Sequence, residues 1–271
     1  PVNNGVGGIN GRQSGLGVKI AGISTDFTAG SSQSTGRSLD FMINEGGSYF
    51  VVSPDGDSVD DTGAVTTNTT RNYYYTRDGA FVLDEQGNLL TQDGNHVMGY
   101  NVDPTTGAVT DAATGTDANN ITPPKCLQIA QYYNTDGTVD TGKTAENKVT
   151  SWSIGSTGII SVKTSASATA STTGAIDVGQ VALASFQNES GLVKDGGNIY
   201  ESSSNSGTAT YGTPGASGYG SITQGTLEMS NVDLAQQFTD MIIASRAFSA
   251  NGKIISTDDE ILQELVNLKR S

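Results

Sequence analysis

The sequence predicts a mainly β protein: two β-rich domains, the second a β-barrel-like insertion in the first, then a C-terminal helix of coiled-coil type. Three observations carry this. Short apolar runs alternate with Gly-, Asn- and Asp-containing turns as far as about residue 223, the rhythm of strands rather than helices. Charged residues make up only 15% of the chain, against roughly 25% in an ordinary soluble domain, and Gly supplies 35 of 271 residues. From about residue 230 the period changes to that of a helix and the apolar residues fall into lines seven apart.

Residues 1–100 and 180–223 form the predicted inner β-rich domain. Leu39-Asp40-Phe41-Met42-Ile43 leads through a Gly-rich turn into Tyr49-Phe50-Val51-Val52. Tyr73 to Leu83, broken by Asp78-Gly79, is the strongest hairpin signal, because Asp-Gly tolerates the positive φ of a tight primed turn. Gln86-Gly87-Asn88 and Asp93-Gly94-Asn95 extend it into a small meander ending at Tyr100. Residues 101–179 are thick with Thr, Ala, Ser and Gly around short runs such as Leu127–Ala130, Ser151–Ile154 and Gly158–Val162. They read as the inserted outer β domain. Gln180–Phe186 and Gly191–Val193 return to the first style.

Residues 224–271 form the predicted helical core segment. Ser230-Asn231-Val232-Asp233 has the shape of a capping box with Asp reaching back. Behind it Leu234, Met241, Phe248, Ile255 and Leu262 recur at steps of seven, with Ile254, Ile261 and Leu268 as a second line. A seven-residue apolar repeat keeps one stripe on one face. Over about 35 residues the stripe runs roughly 50 Å. A single amphipathic helix docked on its own domain is the plainer alternative. Because no earlier segment is a long helix able to cover it, the seam calls for another copy, another protein or a preceding N-terminal helix.

Composition removes whole classes of function. With 28 acidic against 14 basic residues and a net charge of −14, the chain lacks the basic surface that nucleic acid requires. One Cys and one His leave no intrachain disulfide and no Cys- or His-rich metal site, and no cofactor is expected. No apolar run is long enough to span a membrane. The start, Pro1-Val2-Asn3-Asn4-Gly5, is not a signal peptide, and Pro in first place suggests that a natural start precedes it.

The motifs that might carry chemistry are weak. Gly137-Thr138-Val139-Asp140-Thr141-Gly142-Lys143-Thr144 fits the spelling of a phosphate-binding loop. It runs into the β-like Val149–Trp152 instead of a helix, and Asp140 would place a carboxylate in the phosphate cradle. Asp55, Asp57, Asp60 and Asp61 form an acidic cluster without EF-hand spacing, better read as a solvated loop than as a calcium site. His96 lies in a turn-rich polar stretch and reads as a surface residue, and there is no G-x-S-x-G elbow. Cys126 beside Lys125 is either a small apolar side chain entering a strand or a thiol whose pKa the lysine lowers. No catalytic set emerges.

One set of residues resembles a known family, the rod–hook axial proteins of the bacterial flagellum, and within it the hook proteins. The resemblance rests on Gly225-Thr226-Leu227-Glu228-Met229-Ser230-Asn231-Val232-Asp233-Leu234, Ser245-Arg246-Ala247-Phe248 and Leu265-Val266-Asn267-Leu268. It extends to Thr35-Gly36-Arg37-Ser38-Leu39-Asp40-Phe41, Tyr75-Thr76-Arg77-Asp78-Gly79-Ala80-Phe81 and Ala182-Leu183-Ala184-Ser185-Phe186. The family's first long helix has no counterpart in the chain. The resemblance implies a structural subunit, not an enzyme, exported from the cell and polymerised into a curved tube that passes motor torque to the filament. Its implied partners are many copies of itself, the distal rod protein, the hook–filament junction protein and the hook cap protein, with neither nucleic acid nor membrane. The core seam would then be Leu234, Met241, Phe248, Ile255, Leu262, Leu265 and Leu268. Because some spirochaete members join subunits through a Cys-derived residue and a Lys, the resemblance also makes Cys126 a candidate covalent cross-link. The 101–179 unit would set curvature. A distal rod subunit is the alternative within the family; a secreted β-rich adhesin or carbohydrate-binding module is the alternative outside it, one that leaves the heptad helix unexplained.

Overall fold

The computed structural model describes residues 25–56, 58–59, 65–66, 72–104, 107–109, 125–134, 139–140, 147–165 and 175–270. Its centre is strand β3 (Ser48–Ser53), buried at all six positions. Alternate side chains of a strand point to opposite faces, and here both faces are covered. Phe50 and Val52 enter one apolar cluster with Phe41, Phe81 and Leu183, while Tyr49 and Val51 enter a second with Tyr75, Tyr100 and Tyr211. The first cluster is tied by edge-on rings, Phe50 and Phe81 having centroids 5.2 Å apart. In the second, the hydroxyls of Tyr75 and Tyr211 share a hydrogen bond of 2.9 Å.

Around β3 runs an antiparallel sheet of thirteen strands. On one side come β6 (Tyr74–Thr76), β16 (Ile199–Glu201) and β15 (Val193–Gly196). On the other come β9 (His96–Tyr100), β13 (Ile176–Val181), β12 (Ile159–Thr164) and β11 (Val149–Ile154). Strand β9 also carries β10 (Lys125–Cys126) and β8 (Leu89–Thr91), which pairs with β7 (Phe81–Leu83); β14 (Leu183–Ser185) joins β3 to β17 (Thr210–Gly212). Short pairs complete the fold: β1 (Ser32–Ser34) with β19 (Thr226–Glu228), β2 (Phe41–Ile43) with β18 (Ile222–Gln224), and β4 (Ser58–Val59) with β5 (Val65–Thr66). Helix α1 (Leu234–Arg270) closes the described residues.

The mainly β class and the terminal helix agree with the sequence reading, but the barrel does not. Strands β11 and β15 each have one neighbour, so the sheet stays open at both ends. On the edge strand β11, Thr150, Ser151 and Ser153 face solvent, as suits an unpaired sheet edge. The strands of 149–181 extend the sheet of the first hundred residues through β9, with Gln180 opposite Tyr100 and Val181 opposite Gly99.

The expected hairpin around Asp78-Gly79 is also replaced. Strand β6 pairs with β3 and β16 while β7 pairs with β8, so the chain turns a corner there instead of doubling back. Asp78 accepts a hydrogen bond from the Ala80 amide at 3.0 Å, and the Phe41 amide donates to the Gly79 carbonyl at 3.0 Å. Glycine is needed for this contact, since a Cβ would sit 1.8 Å from the Phe41 carbonyl oxygen. The meander of 81–100 forms as expected, with Gly87 and Gly94 at positive φ in its turns.

Candidate functional site: the C-terminal helix and its root

Helix α1 begins three residues later than the sequence suggests. Asp233, not Ser230, is the N-cap: its Oδ1 accepts from the amides of Ala235 at 2.9 Å and Gln236 at 3.3 Å. Its carbonyl takes the first helical hydrogen bond, from the Gln237 amide at 3.1 Å. Ser230 instead closes a local turn, its Oγ accepting from the Val232 amide. The carboxylate wins because it meets two of the amides that a helix start leaves unpaired and complements the helix dipole.

At 37 residues α1 is about 55 Å long, and every described residue in it is exposed. All seven seam residues, Leu234, Met241, Phe248, Ile255, Leu262, Leu265 and Leu268, show more than half of their surface, Phe248 as much as 82%. Elsewhere among the described residues, large exposed apolar side chains are few: Val139, Val193, Met229 and Val232, the last two beside the helix start. Apolar exposure on this scale marks an interaction surface. The sheet domain buries its apolar residues, whereas the helix displays them.

The helix leaves the sheet domain through a root that the sequence reading missed. Strand β19 leads into α1 and lies antiparallel to β1, with Gln33 opposite Leu227. Arg77 pins the two together. Its Nε donates to Glu228 Oε2 at 3.1 Å and its Nη1 to the Phe27 carbonyl at 3.1 Å. The guanidinium also lies over the Tyr49 ring, 5.9 Å from its centroid. The other oxygen of Glu228 accepts from the Gly30 amide at 2.9 Å. Arg77 and Glu228 keep only 13% and 12% of their side-chain surface exposed. Just outside, the Asn231 Nδ2 donates to the Thr28 carbonyl at 3.0 Å and to its Oγ1 at 3.1 Å. Gly30 permits the close pairing, because a Cβ there would meet the Met229 carbonyl oxygen at 1.8 Å. Nothing in the stretch around Arg77 points to Glu228, which lies 151 residues away.

The remaining candidates fall elsewhere. Cys126 is buried on β10 opposite Met98, with its Sγ 3.9 Å from the methionine sulfur. Lys125 Nζ reaches the Val178 carbonyl at 3.4 Å. His96 is half-buried at the start of β9, not on the surface as expected, and packs against Gly56. Of the phosphate-loop spelling only Val139 and Asp140 are described; Asp140 accepts from Asn147 Nδ2 at 2.9 Å. Asp57, Asp60 and Asp61 of the acidic cluster lie outside the described residues, as do Gly137, Thr138 and Thr141 to Thr144. No helix among the described residues is long and apolar enough to cross a membrane.

The buried hydroxyls shape the sheet's chemistry rather than a site. Burial, and then the neighbouring Glu189 carboxylate, push the Tyr49 phenol above its ordinary value, and burial does the same for Tyr75, Tyr211 and Tyr219. Tyr133, whose hydroxyl donates to the Gln128 carbonyl at 2.6 Å, is pushed up by burial to about 12.

Two family profiles match along the chain. One, described as the flagellar hook protein FlgE/F/G D1 domain, covers residues 42–162. The other, the flagellar basal body rod FlgEFG protein C-terminal region, covers residues 223–268, which takes in β19 and nearly all of α1. The flagellar basal-body rod protein FlgG of Bacillus subtilis is 39% identical over 98% of this chain and 78% of its own length. The chain belongs to the flagellar rod–hook family of axial proteins. The flagellar hook protein FlgE of Salmonella typhimurium is 28% identical over 96% of this chain and 89% of its own length. The FlgE of Borreliella burgdorferi reaches 55% identity, over 34% of this chain and 21% of its own length. The D1 profile spans residue 100, where β13 joins the sheet through β9.

Proposed function

We infer that the chain is a structural, non-catalytic subunit of the flagellar hook, polymerising outside the cytoplasm into a curved tube that carries motor torque to the filament. One observation carries this: α1 exposes seven large apolar side chains along its seam, within the segment matched by the family's C-terminal profile. Buried in contacts between copies, such side chains would contribute about 1.5–3 kcal/mol each, enough to drive assembly. The proposed organisation assigns residues 1–100 and 180–223 to an inner β part, 101–179 to an outer part that tunes curvature, and 224–271 to the tube core. At its two ends the tube would meet the distal rod protein and the hook–filament junction protein, and during growth the hook cap protein.

Electron microscopy of the assembled full-length protein tests the reading. Curved tubes support a hook; straight tubes support a distal rod subunit, the reading favoured by the match to FlgG along nearly the whole chain. Persistently monomeric protein overturns both and leaves a secreted β module. Phe248→Ser should abolish tubes and leave the sheet's unfolding midpoint unchanged. For Cys126, burial beside Met98 supports packing over cross-linking; polymer boiled in SDS should release monomers with a free thiol by mass spectrometry.

A further inference from the structure

The midpoint of helix α1 is Gly252, preceded by Asn251, and both are exposed. Glycine and asparagine are poor helix formers. Nothing lies within 4 Å of where a Gly252 Cβ would sit, so no close approach within the chain calls for glycine there. One turn on, the hydroxyls of Ser256 and Thr257 both donate to the Lys253 carbonyl at 2.9 Å, side-chain bonds that weaken a helix. Most helical stability comes from the packing of one face, and every described residue of α1 is exposed. Residues 251–257 are therefore where the interior of α1 opens most readily.

Opening exposes a reactive pair. In a closed helix the Gly252 amide is bonded to the carbonyl of residue 248 and held away from the Asn251 side chain. In an open turn no Cβ shields the glycine nitrogen, which can reach Asn251 Cγ. The nitrogen attacks that carbon and gives up its proton. A C–N bond forms, the Cγ–Nδ2 bond breaks, and ammonia leaves with the proton. Water then opens the five-membered succinimide at one of its two carbonyls, leaving aspartate or isoaspartate. Nothing is oxidised or reduced. In isoaspartate the side-chain methylene becomes part of the backbone.

We propose that Asn251 is a site of spontaneous deamidation that assembly closes, so that subunits left unassembled lose the ability to polymerise while assembled ones are protected. Phe248 lies three residues before Asn251 and Ile255 four after it, so the amide sits on the seam face. A carboxylate there brings a charge into an apolar contact. Isoaspartate also puts Ile255 and Leu262 out of step with Met241 and Phe248. The inference rests on the reading of the chain as a polymerising axial subunit and adds a chemical site to it.

Mass spectrometry tests both the site and its protection. Full-length protein is incubated at neutral pH free in solution, in urea and as polymer, and the peptide spanning 251–252 is read for a gain of one mass unit and for isoaspartate. Asn251 should react in the free subunit, more slowly than in urea. In polymer it should react more than about tenfold slower again, since burying even one seam side chain is worth that factor. Ser256→Ala with Thr257→Ala strengthens the helix, leaves Asn251-Gly252 in place, and should slow the free subunit several-fold; Gly252→Ala should all but stop the reaction. Asn251 intact in the free subunit overturns the site, an unchanged rate in the double-alanine variant overturns the opening, and equal rates in subunit and polymer overturn the protection. Asn251→Asp should cut polymer yield about tenfold, and isoaspartate should be enriched in the fraction left unassembled; undiminished yield or equal content overturns the effect on assembly. All these positions are exposed, so the sheet should fold in every variant. If the unmodified protein forms no polymer, the axial reading falls by itself, while the reactivity of Asn251 is still decided by the free subunit against urea.

Discussion

Replacing Arg77 by Met tests whether the root of α1 is held by charge. The substitution keeps the apolar stem and removes the ion pair to Glu228, the hydrogen bond to the Phe27 carbonyl and the cation over Tyr49. It leaves the Glu228 carboxylate nearly buried, still accepting from the Gly30 amide. Stranding one member of a buried pair costs about 3–5 kcal/mol. The loss should be local, because among the described residues β1 and β19 pair only with each other, so the root can open while the thirteen-stranded sheet stays folded. Hydrogen exchange should show the amides of Gly30 and Met229, now bonded to Glu228 and Ser31, exchanging about 10² to 4 × 10³ times faster. Unfolding followed through Trp152, on the distant β11, should hardly move. Adding Glu228→Gln should recover much of the protection, since it removes the stranded charge. Exchange within threefold of wild type in Arg77→Met would refute the pin. A double variant no better than the single would show that packing, not charge, holds the root.

Two further outcomes follow from the sheet. Gly79→Ala places a Cβ 1.8 Å from the Phe41 carbonyl oxygen, where backbone must move, and should cost about 3 kcal/mol in urea unfolding; a loss below about 1 kcal/mol would mean that the corner is not tight. At high pH the buried phenols should unfold the protein. Tyr133 has its folded value raised from 10.0 to about 12, so its stabilisation is fully present below pH 10 and lost as pH rises toward 12, about 3 kcal/mol in all. Tyr133→Phe should move the alkaline midpoint upward, as seen by circular dichroism.

The contrast between particular elements shows what was legible. The meander of 81–100 was readable because Gly87 and Gly94 mark turns whose strands pair with their sequence neighbours. The corner at Asp78-Gly79 was misread because the same dipeptide serves either a positive φ or a close approach, and only the carbonyl of Phe41 decides which. The N-cap was misplaced by three residues because Ser230 and Asp233 both suit a helix start, and geometry gave Asp233 the two free amides.

By itself the sequence determined the strand-rich composition, the terminal helix and its apolar lines, because period and turn chemistry act over a few residues. The expectation that the helix meets a partner rests on the same lines, since nothing else in the chain repeats at that period. Tertiary structure alone decided that the sheet stays open, that β9 joins the first hundred residues to the strands of 149–181, and that Arg77 meets Glu228 across 151 positions. Those are pairings between distant segments. Their energy depends on which edges and charges come together when the whole sheet forms, and no local stretch of residues carries that choice.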